Sequence, residues 1–207
     1  MKKTSMLIFG LLVIGTMILA SCGGGATTAA GGDKVKAVFL VGGTLGDKSF
    51  NDSTHHGLVQ AEEEGLVDYE YIEASSDPAK IDAAFNDLLN DDSVDIIIQA
   101  QGQLIDQMYE VAPQYPEKKF IIFDNPFDFE KCPECKANVY AIQYAQNEGS
   151  YLAGYYGCLM AESKIIGAVG GQDIPVINDF IVGYVKGAVD AGCAEADVLI
   201  QYAASWT

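Results

Sequence analysis

From Lys34 onward the chain alternates between two hydrophobic periods, and that alternation restricts its fold more than any other feature. Residues 36–41 form a continuous apolar run of strand length that closes on Gly42-Gly43, the pattern of a strand buried on both faces and feeding a loop. Strand character recurs at 68–74, 94–100, 118–124, 138–145, 164–169 and 197–203, so seven strands are predicted. Between several of them, apolar residues fall at three- and four-residue spacing. The clearest helix has Asp77 as N-cap and Pro78 at the first helical position, with Ile81, Ala84, Phe85, Leu88 and Leu89 on one face. Ser49-Phe50-Asn51-Asp52 reads as a capping-box-like start of a helix running to Gly65. Another opens at Asn147 or Glu148 and runs through Leu152, Tyr155 and Leu159, with Gly154 and Gly157 placed for close packing. A fourth, from Ile174 to Ala191, carries Ile177, Ile181, Tyr184 and Ala188. Such alternation predicts an α/β fold with mostly parallel sheet flanked by helices. Residues 125–137 carry no helical period and are predicted to be an excursion at the edge of the first lobe.

The N-terminus obeys other rules. Met1-Lys2-Lys3 is cationic, 6–20 is apolar but interrupted by Gly10 and Gly15, and Ser21 precedes Cys22. That is the layout of a signal peptide, and the run is shorter than the ~20 residues that a spanning helix needs. Leu19-Ala20-Ser21-Cys22 resembles the lipobox of bacterial lipoproteins, which implies lipidation on Cys22. Residues 23–32, rich in glycine and without a large apolar group, then read as a flexible tether. The expected organisation is a signal peptide over 1–21, a lipidated tether over 22–33, a first lobe over 34–145 and a partial second lobe over 146–207. Because the last predicted strand is followed only by Ala204-Ser205-Trp206-Thr207, the second lobe is expected to be truncated.

Charge and composition narrow the function. Without Lys2 and Lys3 the chain has 10 basic against 29 acidic residues, a net charge of −19. Nucleic acid is therefore not an expected partner, since binding it requires a basic face. All 12 basic residues are lysine, so the bidentate guanidinium clamp for phosphate or carboxylate is absent, and a neutral or cationic ligand is favoured. Cys132-Pro-Glu-Cys135 lacks the second pair or nearby histidine that a zinc site needs, and it reads as a loop disulfide or two idle thiols. Cys158 and Cys193 read as small core residues on helices. His55 and His56, adjacent on a helix, diverge by about 100° and cannot converge on one ion. They are expected to be helix surface and part-buried wall, and neither a metal nor a cofactor is expected.

Open parallel sheets bind ligands beyond the carboxyl ends of their strands. The first such loop, Gly42 to Asp52, lacks both glycine spacings of phosphate loops but offers Phe50 among hydrogen-bonding side chains. An aromatic face with polar neighbours suits a flat, uncharged ligand, although Phe50 could instead be a hydrophobic staple on its own helix. Asp124, ending the fourth strand, could accept two hydrogen bonds from vicinal hydroxyls or could cap the turn with Asn125-Pro126. No arrangement of Ser-His-Asp or Cys-His type is suggested at strand ends.

Gly46-Asp47-Lys48-Ser49-Phe50-Asn51-Asp52, Phe123-Asp124, 147–154 (NEGSYLAG) and Val169-Gly170-Gly171 with Pro175, Phe180 and Gly183-Tyr184 together resemble the basic membrane protein (Bmp) family. These are substrate-binding lipoproteins of ABC importers, and their best-understood members are purine nucleoside receptors. The resemblance implies a two-lobed fold of the type I periplasmic-binding-protein kind with the ligand between the lobes. It implies that Phe50 stacks on the base, with Asp47, Ser49 and Asn51 in the same loop. Asp124 would hold the ribose hydroxyls, and Trp206, where the family usually has Phe, would form the opposite wall. The expected function is a non-enzymatic nucleoside receptor on the outer face of the cell membrane, serving a permease in that membrane. Alternatives are a receptor for a sugar, riboflavin-like or signalling ligand, or an exported nucleoside- or glycan-processing enzyme using Asp47 and Asp124.

Overall fold

The computed structural model describes residues 34–204. The signal peptide, Cys22, the tether and Trp206 lie outside the described residues. Five strands form one parallel sheet in the order β2-β1-β3-β4-β5: β1 (Lys36–Val41), β2 (Asp68–Glu73), β3 (Ile96–Gln99), β4 (Lys119–Phe123) and β5 (Val139–Ile142). Two more, β6 (Ile166–Gly170) and β7 (Val198–Tyr202), pair in parallel as a second sheet. All seven predicted strands are present, generally shorter than their apolar runs.

Alternating residues of the first sheet build a core on each face. Val38, Leu40, Ile97, Phe120 and Ile122 meet Ile81, Phe85, Leu88 and Leu89 of α2 (Pro78–Asn90), which is capped as its sequence requires by the Asp77 carboxylate accepting from Ala79 N–H at 3.0 Å. Ala37, Phe39, Val41 and Ile98 face the other way, toward Leu58 and Val59 of α1 (Phe50–Glu63). A helix that the sequence reading missed, α3 (Ile105–Val111), follows β3 and buries Met108 between Leu104 and Ala112. Its seven residues span two turns and end at Val111, two residues before Pro113, too short for a clear period. Lys118 is buried, its ammonium donating to the carbonyls of Asp91 and Val94 at 2.7 and 2.8 Å.

In the excursion over 125–137, Cys132 and Cys135 form a disulfide, one of the two alternatives left open, and both are buried in the first core. Cys158 and Cys193 are buried as expected, but they are joined to each other, and Cys193 lies beyond the helix that ends at Asp190. A periodicity argument sees two small apolar residues 35 positions apart and carries no information on their pairing.

The second lobe is built on α4 (Gln146–Met160) and α5 (Pro175–Asp190). Their backbones approach so closely that a Cβ on Gly154 would overlap the carbonyl oxygen of Tyr184, one on Gly183 that of Asn147, and one on Gly187 that of Tyr151. Gly157 is different: a Cβ there would meet only ordinary contacts, the nearest at 3.5 Å, so its expected close-packing role is not required. No described helix is long and apolar enough to cross a membrane.

Candidate functional site

The chain leaves β1 in one direction along the sheet and β3 in the other, so the loops after these strands part and leave a crevice at their carboxyl ends. Gly43 and Gly46 adopt φ of +117° and +97°, and Lys48 one of +52°, in the loop after β1. Two carboxylates fix that loop. Asp47 accepts from the N–H groups of Ser49 and Asp52 on Oδ1 (3.0 and 3.1 Å) and of Asn51 on Oδ2 (2.9 Å). Asp52 accepts in return from Gly46 at 2.7 Å and Lys48 at 2.8 Å. The expected capping box is thus corrected: the Ser49 side chain makes no cap bond, and Asp47 serves α1 in its place. The backbone donors of Asn51, then of Ser49, hold the Asp47 carboxyl below its ordinary range. Leu45 N–H also donates to Glu73 at 2.6 Å, and the Asn51 amide to Thr44 O at 3.4 Å.

Phe50, the first residue of α1, is 40% exposed and stacks on Phe123 with centroids 5.2 Å apart and planes at 28°. Its ring therefore rests on the end of β4 and not on its own helix, which disfavours the staple. Asp124 is the residue after Phe123, so the first and fourth strand-end loops bring Phe50 and Asp124 to one edge of the sheet. Ser49 is exposed beside Phe50, while Asn51 is half-buried against the loop.

Asp124 sits at φ +54°, and its N–H donates to Ile142 O at 2.9 Å. Asn125 ties the turn, donating to Ala100 O at 2.8 Å and Phe123 O at 3.4 Å, so Asp124 is not needed as its cap. Among the described residues the Asp124 carboxylate accepts no hydrogen bond, and it lines a cavity of about 200 Å3 with Asn125, Gln143, Gln146, Pro175 and Asp179. Burial alone pushes its carboxyl above the ordinary range. A larger cavity, about 470 Å3, lies against α4 and α5 and is lined by none of the candidate ligand-binding residues read from the sequence.

The raised Asp124 pKa has a definite sign in stability. Its favourable contribution is present below the unfolded carboxylate pKa and is lost as pH rises through the higher folded value. Asp124→Asn, whose side chain also tolerates positive φ, should match the parent's melting midpoint near pH 3 and exceed it near pH 7, pH values on either side of the ordinary carboxylate pKa of about 4. Thermal scans at both pH values test this, and a pH-independent difference would contradict it.

Gln101, Asn125, Gln146 and Asp179 were not among the candidate ligand-binding residues read from the sequence. A Cβ on Gly42 would overlap the Gln101 amide, which crosses the end of β1, and Gln101 N–H donates to the buried side chain of Gln99. Their position after β3, after β4 and at the openings of α4 and α5 was the available signal. His55 is wall, as expected: its Nδ1 lies 2.9 Å from Tyr69 Oη and its ring packs on Tyr69 and Tyr71, while His56 is exposed. Among the described residues no group of three or more His, Cys, Asp or Glu could hold a metal ion.

The chain can now be set beside known proteins. It is 30% identical to a CD4+ T-cell-stimulating antigen of Listeria innocua, over 98% of this chain and 57% of the relative. It is 33% identical to an uncharacterized lipoprotein of Pyrococcus abyssi (87% and 44% covered) and 27% identical to basic membrane protein A of Borreliella burgdorferi (95% and 55%). The chain thus spans about half the length of the curated relatives it matches. A solute-binding protein of an ABC transporter system from Aeropyrum pernix superposes with a TM-score of 0.64 at 26% identity, covering 81% of this chain and 46% of that one. Residues 34–207 match the family model Bmp, described as ABC transporter substrate-binding protein PnrA-like, and the chain belongs to that family.

Proposed function

We propose that this protein is the extracytoplasmic receptor of an ABC importer, held to the cell membrane by lipid on Cys22, and that it binds a purine nucleoside between its lobes. It passes the ligand to a permease in the same membrane and does no bond chemistry. One observation carries the reading: Phe50 presents a half-exposed ring from a pinned loop and stacks on Phe123, the residue before a carboxylate that is free to accept hydroxyl hydrogens among the described residues. Stacking supplies affinity for a flat base, and Asp124 supplies selectivity for the sugar. Among the described residues no lysine lines the adjoining cavity, which agrees with an uncharged ligand. Ser49 and Asn51 are further contacts in this reading, Asp47 shapes the loop, and Trp206 forms the second aromatic wall. The names of the relatives as lipoproteins and membrane proteins support the anchor, and two buried disulfides suit an oxidising exterior.

Calorimetric titration of the full-length, delipidated protein with adenosine, guanosine, inosine and ribose is the test. Phe50→Ala should weaken nucleoside binding by about 1–3 kcal/mol. No heat with any nucleoside at millimolar concentration would end the proposal, and native mass spectrometry of the co-purifying species would then show whether a sugar or other ligand takes the site. Turnover of a nucleoside or glycan abolished by Asp124→Asn would instead establish an enzyme.

A further inference from the structure

The cavity beside Asp124 is also lined by Gln146, Pro175, Val176 and Asp179 of the second lobe. Gln146, the first residue of α4, turns its amide nitrogen toward Asp179 Oδ2 at 3.4 Å. A carboxylate only accepts, so this neighbour fixes the orientation of the amide and directs the carbonyl oxygen the other way. That oxygen is buried without a hydrogen-bond partner. A buried acceptor left unpaired costs free energy that a ligand donor would recover. The Asp124 carboxylate, from the first lobe, lines the same cavity and is also without a donor among the described residues. The nearby Asn125 nitrogen is occupied with the Ala100 and Phe123 carbonyls, and among the described residues no cationic side chain lines the space.

We propose that Gln146 is a specificity-determining residue: its carbonyl oxygen and the Asp124 carboxylate, one from each lobe, together accept the hydroxyl pair of the ligand's sugar. Asp179 is the positioning residue that holds the amide in the accepting orientation. The inference rests on the nucleoside-receptor reading and adds to it a reason why the sugar ties the lobes together. A base alone would stack on Phe50 in the first lobe, whereas two hydroxyls bridging Asp124 and Gln146 reward the closed arrangement of both.

The experiment is a titration of the full-length protein and its Gln146→Met variant with adenosine and 2′,3′-dideoxyadenosine. Adenosine should bind the parent at least about tenfold more tightly than the dideoxy analogue, and Gln146→Met should remove most of that ratio by weakening adenosine alone. Asp179→Asn, which frees the amide to turn, should lower the same ratio, and Asp179→Glu should restore it. If Gln146→Met keeps the parent's ratio, the inference is overturned while the receptor reading stands. Should Gln146→Met fail to fold, Asp179→Asn decides: a lowered ratio supports the inference, and a ratio unchanged from the parent's overturns it. Absence of any nucleoside binding by the parent overturns both.

Discussion

Gly187→Ala should destabilise the second lobe by about 3 kcal/mol or more, at the upper end of what overpacking costs. The added methyl would overlap the carbonyl oxygen of Tyr151 and press on the backbone nitrogen of Tyr155, 2.9 Å away. Both obstacles are main chain inside α4, so no rotamer change relieves them. Relief requires α4 and α5 to move apart, which opens the small core of Cys158, Ala188, Cys193 and Val198. Two controls separate this from a general intolerance of alanine. Gly149 on α4 has nothing within 4 Å of its would-be Cβ, so Gly149→Ala should stabilise by up to about 1 kcal/mol through helix propensity. Gly157→Ala, with its nearest neighbour at 3.5 Å, should be close to neutral or mildly stabilising. Urea unfolding followed by circular dichroism ranks the three variants, and a Gly187→Ala protein as stable as its parent would refute the close-packing argument.

Elements whose signal is local were legible in the chain before folding. The Asp77-Pro78 start fixes one helix end by capping chemistry, and the β1 run needs both faces covered whatever lies around it. What escaped depends on partners distant in sequence. Cys158 and Cys193 share a bond only because α4 ends where the loop before β7 begins to turn back, a fact of packing. Gln146 carries nothing in its own neighbourhood that marks it; its carbonyl matters because Asp179, 33 residues on, claims the amide nitrogen. The capping of α1 went astray for a subtler reason. Ser49 is a favoured cap residue at the favoured place, but Asp47 is a stronger acceptor and the positive φ of Lys48 folds it onto the same donors. Phe50 shows the reverse case: its loop position was readable from spacing, and only the three-dimensional register of β4 could say that its ring rests on Phe123.

Removing the Cys158–Cys193 cross-link should cost about 4 kcal/mol, against about 1.5–2 kcal/mol for Cys132–Cys135, because the loops they close span 35 and 3 residues and the entropy recovered by the unfolded chain grows with loop length. The difference matters more than the sum, since it falls on the lobe with less to spare. The first lobe has two layers of aliphatic and aromatic core, and reduced Cys132 and Cys135 would remain in it as small apolar groups. Among the described residues, four buried ones make up the core of the second lobe, two of them these cysteines, while Val169 and Leu199 of its sheet are 77% and 57% exposed. Alanine pairs avoid burying a hydroxyl, so Cys158→Ala with Cys193→Ala, and Cys132→Ala with Cys135→Ala, are the informative variants. In urea the first pair should lose stability about twice as strongly as the second, and the parent should show the larger part of that loss on adding reductant. Equal losses from the two pairs would mean that chain entropy does not govern these bonds. No loss from the first pair would mean that packing of α4 on α5 through Gly154, Gly183 and Gly187 suffices to hold the second lobe.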